Sequence, residues 1–311
     1  MSVLVRVSAA LLLMAFSIGC CAMRGGCSQD LDARTPPPES AFEKEHLRIG
    51  GRDWPVYSIG GDGPPVVIAH EMDGLSRGCL VLARELAESP AKHRVYLPLL
   101  FGKWNANAPS KHLLGFIGGR AWGKRWQLRE PDSLGGIIDE AAALCREISQ
   151  RHGGKRVTVI GSCLTGSWPV ALLREPCVAG GILCQPALPM LPGSDTAKRG
   201  LGLTGIELEA SVAAAKRENK SLLGFCYLED QFTPEAMLAK FERLESAFGD
   251  RFAPCILASR EDRDRVPDWA TWIEAGETRG HSTLTKNAGL KSSVERAALL
   301  ERATTFTRAL E

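Results

Sequence analysis

Short apolar runs alternate along this chain with stretches whose apolar residues recur every three or four positions. Pro65 to His70, Arg94 to Leu99, Val157 to Ile160, Gly181 to Cys184, Leu222 to Tyr227 and Pro254 to Ala258 read as buried strands, the last of these closing the series. Between them lie helical periods. Ser76 to Ser89 carries Leu80, Ala83 and Leu86 on one face and is stopped by Pro90. Asp132 or Ser133 is placed to cap a helix with Ile137, Ala141, Leu144 and Ile148 inward, ended by Gly153-Gly154. Further helices are expected over Leu164 to Arg174, with a mild kink at Pro169, and over Ile206 to Asn219. Another starts at Thr233-Pro234, with Met237, Phe241, Leu244 and Phe248 in one stripe, and a C-terminal helix carries Leu299, Ala303, Phe306 and Leu310. Ahead of these, Leu47 to Ile59 reads as an antiparallel hairpin turning at Gly50-Gly51. The alternation predicts an α/β protein, a mainly parallel sheet with helices on both faces.

Two stretches break the rhythm. Residues 101–131 hold Trp104, Trp122 and Trp126 among glycines and basic residues, and suit either a lid over a site or packing onto the domain surface. At the N-terminus, Arg6 precedes the apolar run Val7 to Phe16, which is short for a membrane span and fits a signal peptide over residues 1–20. Its end, Ser17-Ile18-Gly19-Cys20, resembles a bacterial lipobox, with Ser17 where leucine is usual. That resemblance implies export and membrane attachment through a lipidated Cys20, in the periplasm or on a membrane. Residues 21–45, polar and holding Pro36-Pro37-Pro38, read as a tether, so the folded domain is expected over 46–311.

The 311 residues carry a net charge of +2, which gives no reason to expect a nucleic-acid partner. Ten cysteines show no CxxC pair and no Cys/His spacing for zinc, so no metal site is expected. Cys79, Cys145, Cys177, Cys184, Cys226 and Cys255 sit singly in apolar segments as small core residues.

Cys163 differs. Val157 to Ile160 leads into Gly161-Ser162-Cys163-Leu164-Thr165-Gly166, a strand, a sharp turn and a helix start. This is the G-x-S-x-G nucleophile elbow with cysteine in the serine's place. The turn demands small residues two before and two after its nucleophile. Ser162 fails that test, being flanked by Ile160 and Leu164, whereas Cys163 has Gly161 before it. Thr165 is the exception, larger than the usual glycine, with Gly166 one place late.

In an open parallel sheet, sites form at the carboxyl ends of strands. Cys163, Asp230 and His281 all fall there, in the chain order of an α/β-hydrolase triad. A thiol needs a base to ionise near neutral pH. His281, in a polar glycine-containing loop, is placed for it, while His46, His93, His112 and His152 read as solvated. Asp230 is placed to orient His281, with Glu229 its neighbouring rival and Asp262 and Asp264 weaker ones. The N–H groups of Leu164 and Met72 are expected to form an oxyanion hole.

Together, the elbow at Cys163, Glu71 after the first parallel strand, Asp230 and His281 resemble the dienelactone hydrolase family. The resemblance covers Ile49 to the C-terminus. It implies an α/β-hydrolase fold, a Cys–His–Asp triad, no cofactor, and a small-molecule ester or lactone substrate. It also implies that Glu71 pairs with the resting thiol, and offers Arg77 as a substrate contact. The other reading is a binding lipoprotein that keeps the fold without the chemistry.

Overall fold

β1 (Glu43–Ile49) and β2 (Arg52–Gly60) form an antiparallel hairpin, and Gly50 and Gly51 hold φ values of 57° and 79° that a tight turn requires. The computed structural model describes residues 35–72, 74–106, 132–187, 199–231, 234–285 and 293–310. The leader, most of the tether, Trp122, Trp126, His112 and Thr233 lie outside these. No helix among the described residues is long and apolar enough to cross a membrane.

β3 (Pro65–Ala69), β5 (Arg94–Pro98), β7 (Val157–Ser162), β8 (Val178–Cys184), β9 (Ser221–Tyr227), β11 (Phe252–Ala258) and β12 (Thr271–Glu274) complete one nine-stranded sheet. Its order is β1-β2-β5-β3-β7-β8-β9-β11-β12, parallel from β5 onward. Two short parallel ladders stand apart, β4 (Gly74–Ser76) with β6 (Lys103–Ala106) and β10 (Glu229–Asp230) with β13 (Arg279–Gly280).

Both faces of the sheet are covered, as continuous apolar strands demand. α1 (Arg77–Glu88) and α6 (Ser293–Ala309) cover one, burying Leu80, Leu86, Leu299 and Ala303 with Val66, Ile68 and Ile160. The other face carries α2 (Ile137–Arg151), α3 (Trp168–Leu172), α4 (Gly205–Glu218) and α5 (Pro234–Phe248). There Ile137, Trp168, Leu208 and Phe241 pack with Val67, Val159 and Ile256.

Several expectations shift. β1 starts inside the presumed tether because Glu43 and Lys44 are exposed on an edge strand, polar in sequence yet paired with Ser58 and Tyr57. α2 is capped by Gly136, not by Asp132 or Ser133: the Ser133 hydroxyl accepts the Gly135 N–H, and Ser133 bridges to Leu203. The expected helix over Leu164 to Arg174 is broken. A 3₁₀ turn, Cys163–Thr165, comes first, and Pro169 then lies in the opening turn of α3, where its missing N–H costs nothing. Ala258 does not end the sheet, since β12 adds another parallel strand beyond it. His93 is buried, its ring bridging the Pro64 carbonyl and the Thr307 hydroxyl. Within the Trp-rich segment, Trp104 packs on Phe42 and Tyr57, so this part lies on the domain.

Candidate active site

Cys163 follows β7 directly, with φ 55°, a left-handed conformation that costs a non-glycine residue on the order of 1–3 kcal/mol. The strain lifts Cys163 off the strand and starts the 3₁₀ turn. A Cβ on Gly161 would overlap the Thr165 carbonyl and come within 2.9 Å of Pro169 Cδ. A Cβ on Gly166 would meet Pro186 N at 2.9 Å and the Cys184 carbonyl at 3.0 Å. Thr165 between them is fully buried and fits. Its hydroxyl oxygen accepts the Ser162 N–H at 3.0 Å and its proton is directed to the Ala69 carbonyl at 2.9 Å. The threonine therefore ties the elbow to the end of β3 where glycine would leave the turn unbraced.

The fifty-odd residues between Asp230 and His281 are closed by backbone pairing. β10 aligns Glu229 with Arg279 and Asp230 with Gly280, and the Gln231 N–H donates to the Gly280 carbonyl at 2.8 Å. Asp230 is thereby one residue from His281. Gly280 itself lies against the Tyr227 ring, where a Cβ would come within 2.6 Å. The His281 Nδ1 donates to the Asp230 carboxylate at 2.7 Å, both side chains being buried. The rivals are engaged elsewhere. Glu229 pairs with Arg265, and Asp262 takes the Ser259 and Thr278 hydroxyls and Arg265.

Burial alone would drive His281 to its neutral form. Cys163 and Asp230, the latter through its hydrogen bond to Nδ1, act in the opposite sense and outweigh that, raising its pKa to about 10. The His281 imidazole and the Asp230 carboxylate thus form a buried hydrogen-bonded pair at the carboxyl end of the sheet. The remaining described cysteines are free thiols, and burial raises the pKa of each of them.

Glu71 stands just past β3. Since Ala69 pairs with Gly161, Glu71 and Cys163 each lie two residues past the end of that ladder. Its buried carboxylate accepts the Ser282 hydroxyl at 2.9 Å and the Thr285 hydroxyl, so it anchors the loop that carries His281. The same loop is held by Arg296, which donates to the Leu284 carbonyl at 3.0 Å. Met72 lies half-buried in the turn after Glu71. Leu164 is the second residue of the 3₁₀ turn, among the N–H groups that such a turn leaves unpaired by its own bonding. Arg77 opens α1, half-buried beside Gly78, and Gly78 abuts the Thr285 backbone.

Sequence reasoning passed over three residues here. Lys240 lies fully buried, with Nζ donating to the Pro186 carbonyl at 2.7 Å. It falls on the core stripe of α5, three residues after Met237 and four before Leu244, and a lysine in such a stripe was the available signal. Gln185, buried with φ 35°, accepts the Thr283 N–H and hydroxyl on its side-chain oxygen at 3.2 and 2.7 Å. No local pattern marks it. His70 is buried and neutral. The Leu100 N–H donates to its Nε2, so its proton sits on Nδ1 and bonds the Glu71 carbonyl at 2.7 Å.

Burial lowers the His70 pKa to about 4. The unfolded ring protonates near 6.5, the folded ring only near 4, so stability should fall as pH drops through that window. The full effect is on the order of 3 kcal/mol. Denaturation midpoints measured between pH 7 and pH 4 should drop less in His70→Gln than in the natural chain. Parallel curves would show that His70 is not the titrating group.

Among the described residues no three His, Cys, Asp or Glu side chains converge to hold a metal ion. No protein-family model matches the sequence, and no curated protein matches it. Solved structures do. The chain is similar to a dienelactone hydrolase-like promiscuous phosphotriesterase from metagenomic libraries, with TM-score 0.52 and 15% identity over 87% of this chain and 99% of that one. It is similar to a dienelactone hydrolase from Anabaena variabilis, with TM-score 0.52 and 10% identity over 86% and 98%. A third, TT1662 from Thermus thermophilus, gives TM-score 0.51 and 17% identity over 86% and 98%. At these identities the likeness is one of fold, and the chain has the α/β-hydrolase fold.

Proposed function

We propose that this protein is a hydrolase of carboxylic ester, lactone or thioester bonds, with Cys163 as nucleophile. The observation that carries the reading is the strained turn that presents Cys163 at the end of β7, on the side of the sheet where His281 is hydrogen-bonded to the buried Asp230. The thiolate sulfur attacks the carbonyl carbon, and the negative charge passes to the carbonyl oxygen. The N–H groups of Leu164 and Met72 receive that charge, and each such donor is worth on the order of a hundred- to a thousandfold in rate. As the tetrahedral adduct collapses, the bond to the leaving oxygen or sulfur breaks and His281 supplies its proton. A water molecule then gives a proton to His281 and attacks the Cys163 thioester. The carbon–sulfur bond breaks, releasing the carboxylic acid and restoring the thiolate beside protonated His281. Asp230 keeps His281 in the Nδ1-protonated tautomer throughout, leaving Nε2 to exchange the proton.

The fold supports the same reading, since a structure named as a dienelactone hydrolase shares it. Purified protein should turn over short activated esters, and Asp230→Asn should slow kcat/KM by on the order of a thousandfold, because asparagine favours the wrong tautomer. Turnover of no ester, lactone or thioester would leave a binding protein on a hydrolase scaffold as the better account.

A further inference from the structure

Three consecutive residues after β8 each grip a different arm of the site. The Gln185 side-chain oxygen holds Thr283, two residues beyond His281. The Pro186 carbonyl takes the Lys240 ammonium, from the helix that follows Asp230. The Ala187 N–H donates to the Cys163 carbonyl at 2.9 Å. The register explains the convergence: Ser162 pairs with Cys184, so Gln185 stands level with Cys163. The strained φ of Gln185, 35°, is the backbone turn that this crossing requires.

Lys240 brings a charge as well as a bond. A fully buried ammonium persists where negative groups face it. Burial lowers its pKa to about 8, and Asp230 on β10 and Cys163 at the elbow act in the opposite sense, helping it to keep its proton. The charge count then matters. Glu71 and Asp230 are buried carboxylates at this site and His281 carries a single positive charge, so ionising Cys163 adds to an excess of negative charge. The Lys240 ammonium offsets one of those negative charges.

We propose that Lys240 is a positioning residue of this site, a buried cation that balances the Cys163 thiolate and, through Pro186, holds residues 185–187 across the three arms. This rests on Cys163 being the nucleophile.

The test is the pH dependence of Cys163 alkylation by iodoacetamide, followed by peptide mass spectrometry in the full chain. In Lys240→Met the ionisation midpoint should rise by about one unit, so labelling at pH 6 slows about tenfold. Lys240→Arg keeps the charge and should restore most of that rate, which a loss of packing alone would not. If Cys163 titrates as an ordinary thiol and His281→Ala changes nothing, the nucleophile reading itself fails. If His281→Ala shifts the midpoint and Lys240→Met does not, only the role of Lys240 is overturned. Should Lys240→Met not fold, the natural sequence supplies the measurement. Nitrogen NMR of the Lys240 ammonium should show it titrating lower, by at least about half a unit, once Cys163 is capped with a neutral carboxamidomethyl group. An unchanged titration overturns the proposal.

Discussion

Replacing Cys163 with alanine should abolish ester hydrolysis, with kcat falling by at least about ten-thousandfold. The size follows from the route. Without the sulfur there is no acyl-enzyme, and what remains is the oxyanion donors acting on direct attack by water. Stability should barely move. Alanine at φ 55° keeps the strain, but the change removes a thiol from beside the His281 imidazole without leaving a large void. The denaturation midpoint should therefore change little, so the loss of activity cannot be assigned to unfolding. Cys163→Ser is a sharper version. A hydroxyl is far harder to ionise than a thiol, and His281 here is tuned upward by an anionic neighbour. Serine should leave less than about one per cent of the rate. Near-normal turnover by either variant would place the chemistry elsewhere.

Gly78→Ala should damage both stability and activity, although residue 78 is not one of the triad. An alanine Cβ at this place in α1 would overlap the Thr285 carbonyl, and the Thr285 Cα lies 3.0 Å from the same point. These are backbone atoms, so no side chain can swing aside to make room. The loop from Ser282 to Thr285 must move, yet it is bound to Glu71, Gln185 and Arg296. Moving it breaks those bonds and carries His281 with it. Overpacking of this kind costs on the order of 3 kcal/mol, and a base displaced by about 1 Å loses on the order of a hundredfold in rate. Urea denaturation and kcat/KM measured on the same preparation check both halves. A midpoint and rate within experimental error of the natural chain would mean that the loop is not held as described.

The elements with regular periods were legible in the sequence, and so was the placing of the site residues at strand ends. Gly161 and Cys163 could be read because the elbow is a local steric demand, met within a few residues. The meeting of Asp230 and His281 could be read because both follow strands at the carboxyl side of the sheet. What escaped has a common physical cause, which is that long-range contacts decide it. The cap of α2 moved to Gly136 because Ser133 is drawn into a bridge with Leu203. Thr165 looked too large because the carbonyl of Ala69, some ninety residues earlier, was not there to receive its hydroxyl. The choice of Asp230 over Glu229 depends on Arg265 claiming the latter. His93 looked solvated because Thr307, its buried partner, is far along the chain. Glu71 was singled out by resemblance for the thiol. The bonds it makes to Ser282 and Thr285 add an anchoring role that no local pattern announces.

The central claim is that hydrolysis passes through an acyl group on Cys163, and intact-protein mass spectrometry addresses it directly. The protein is mixed with an activated ester of a slowly hydrolysed acid, quenched in acid within seconds and weighed. A single added acyl mass should appear, map to the peptide carrying Cys163 and decay as the free acid forms. It should be absent in Cys163→Ala and accumulate far more slowly in His281→Ala. Turnover of the ester with no acyl mass at Cys163 at any time, or acylation equally fast in His281→Ala, would contradict this account.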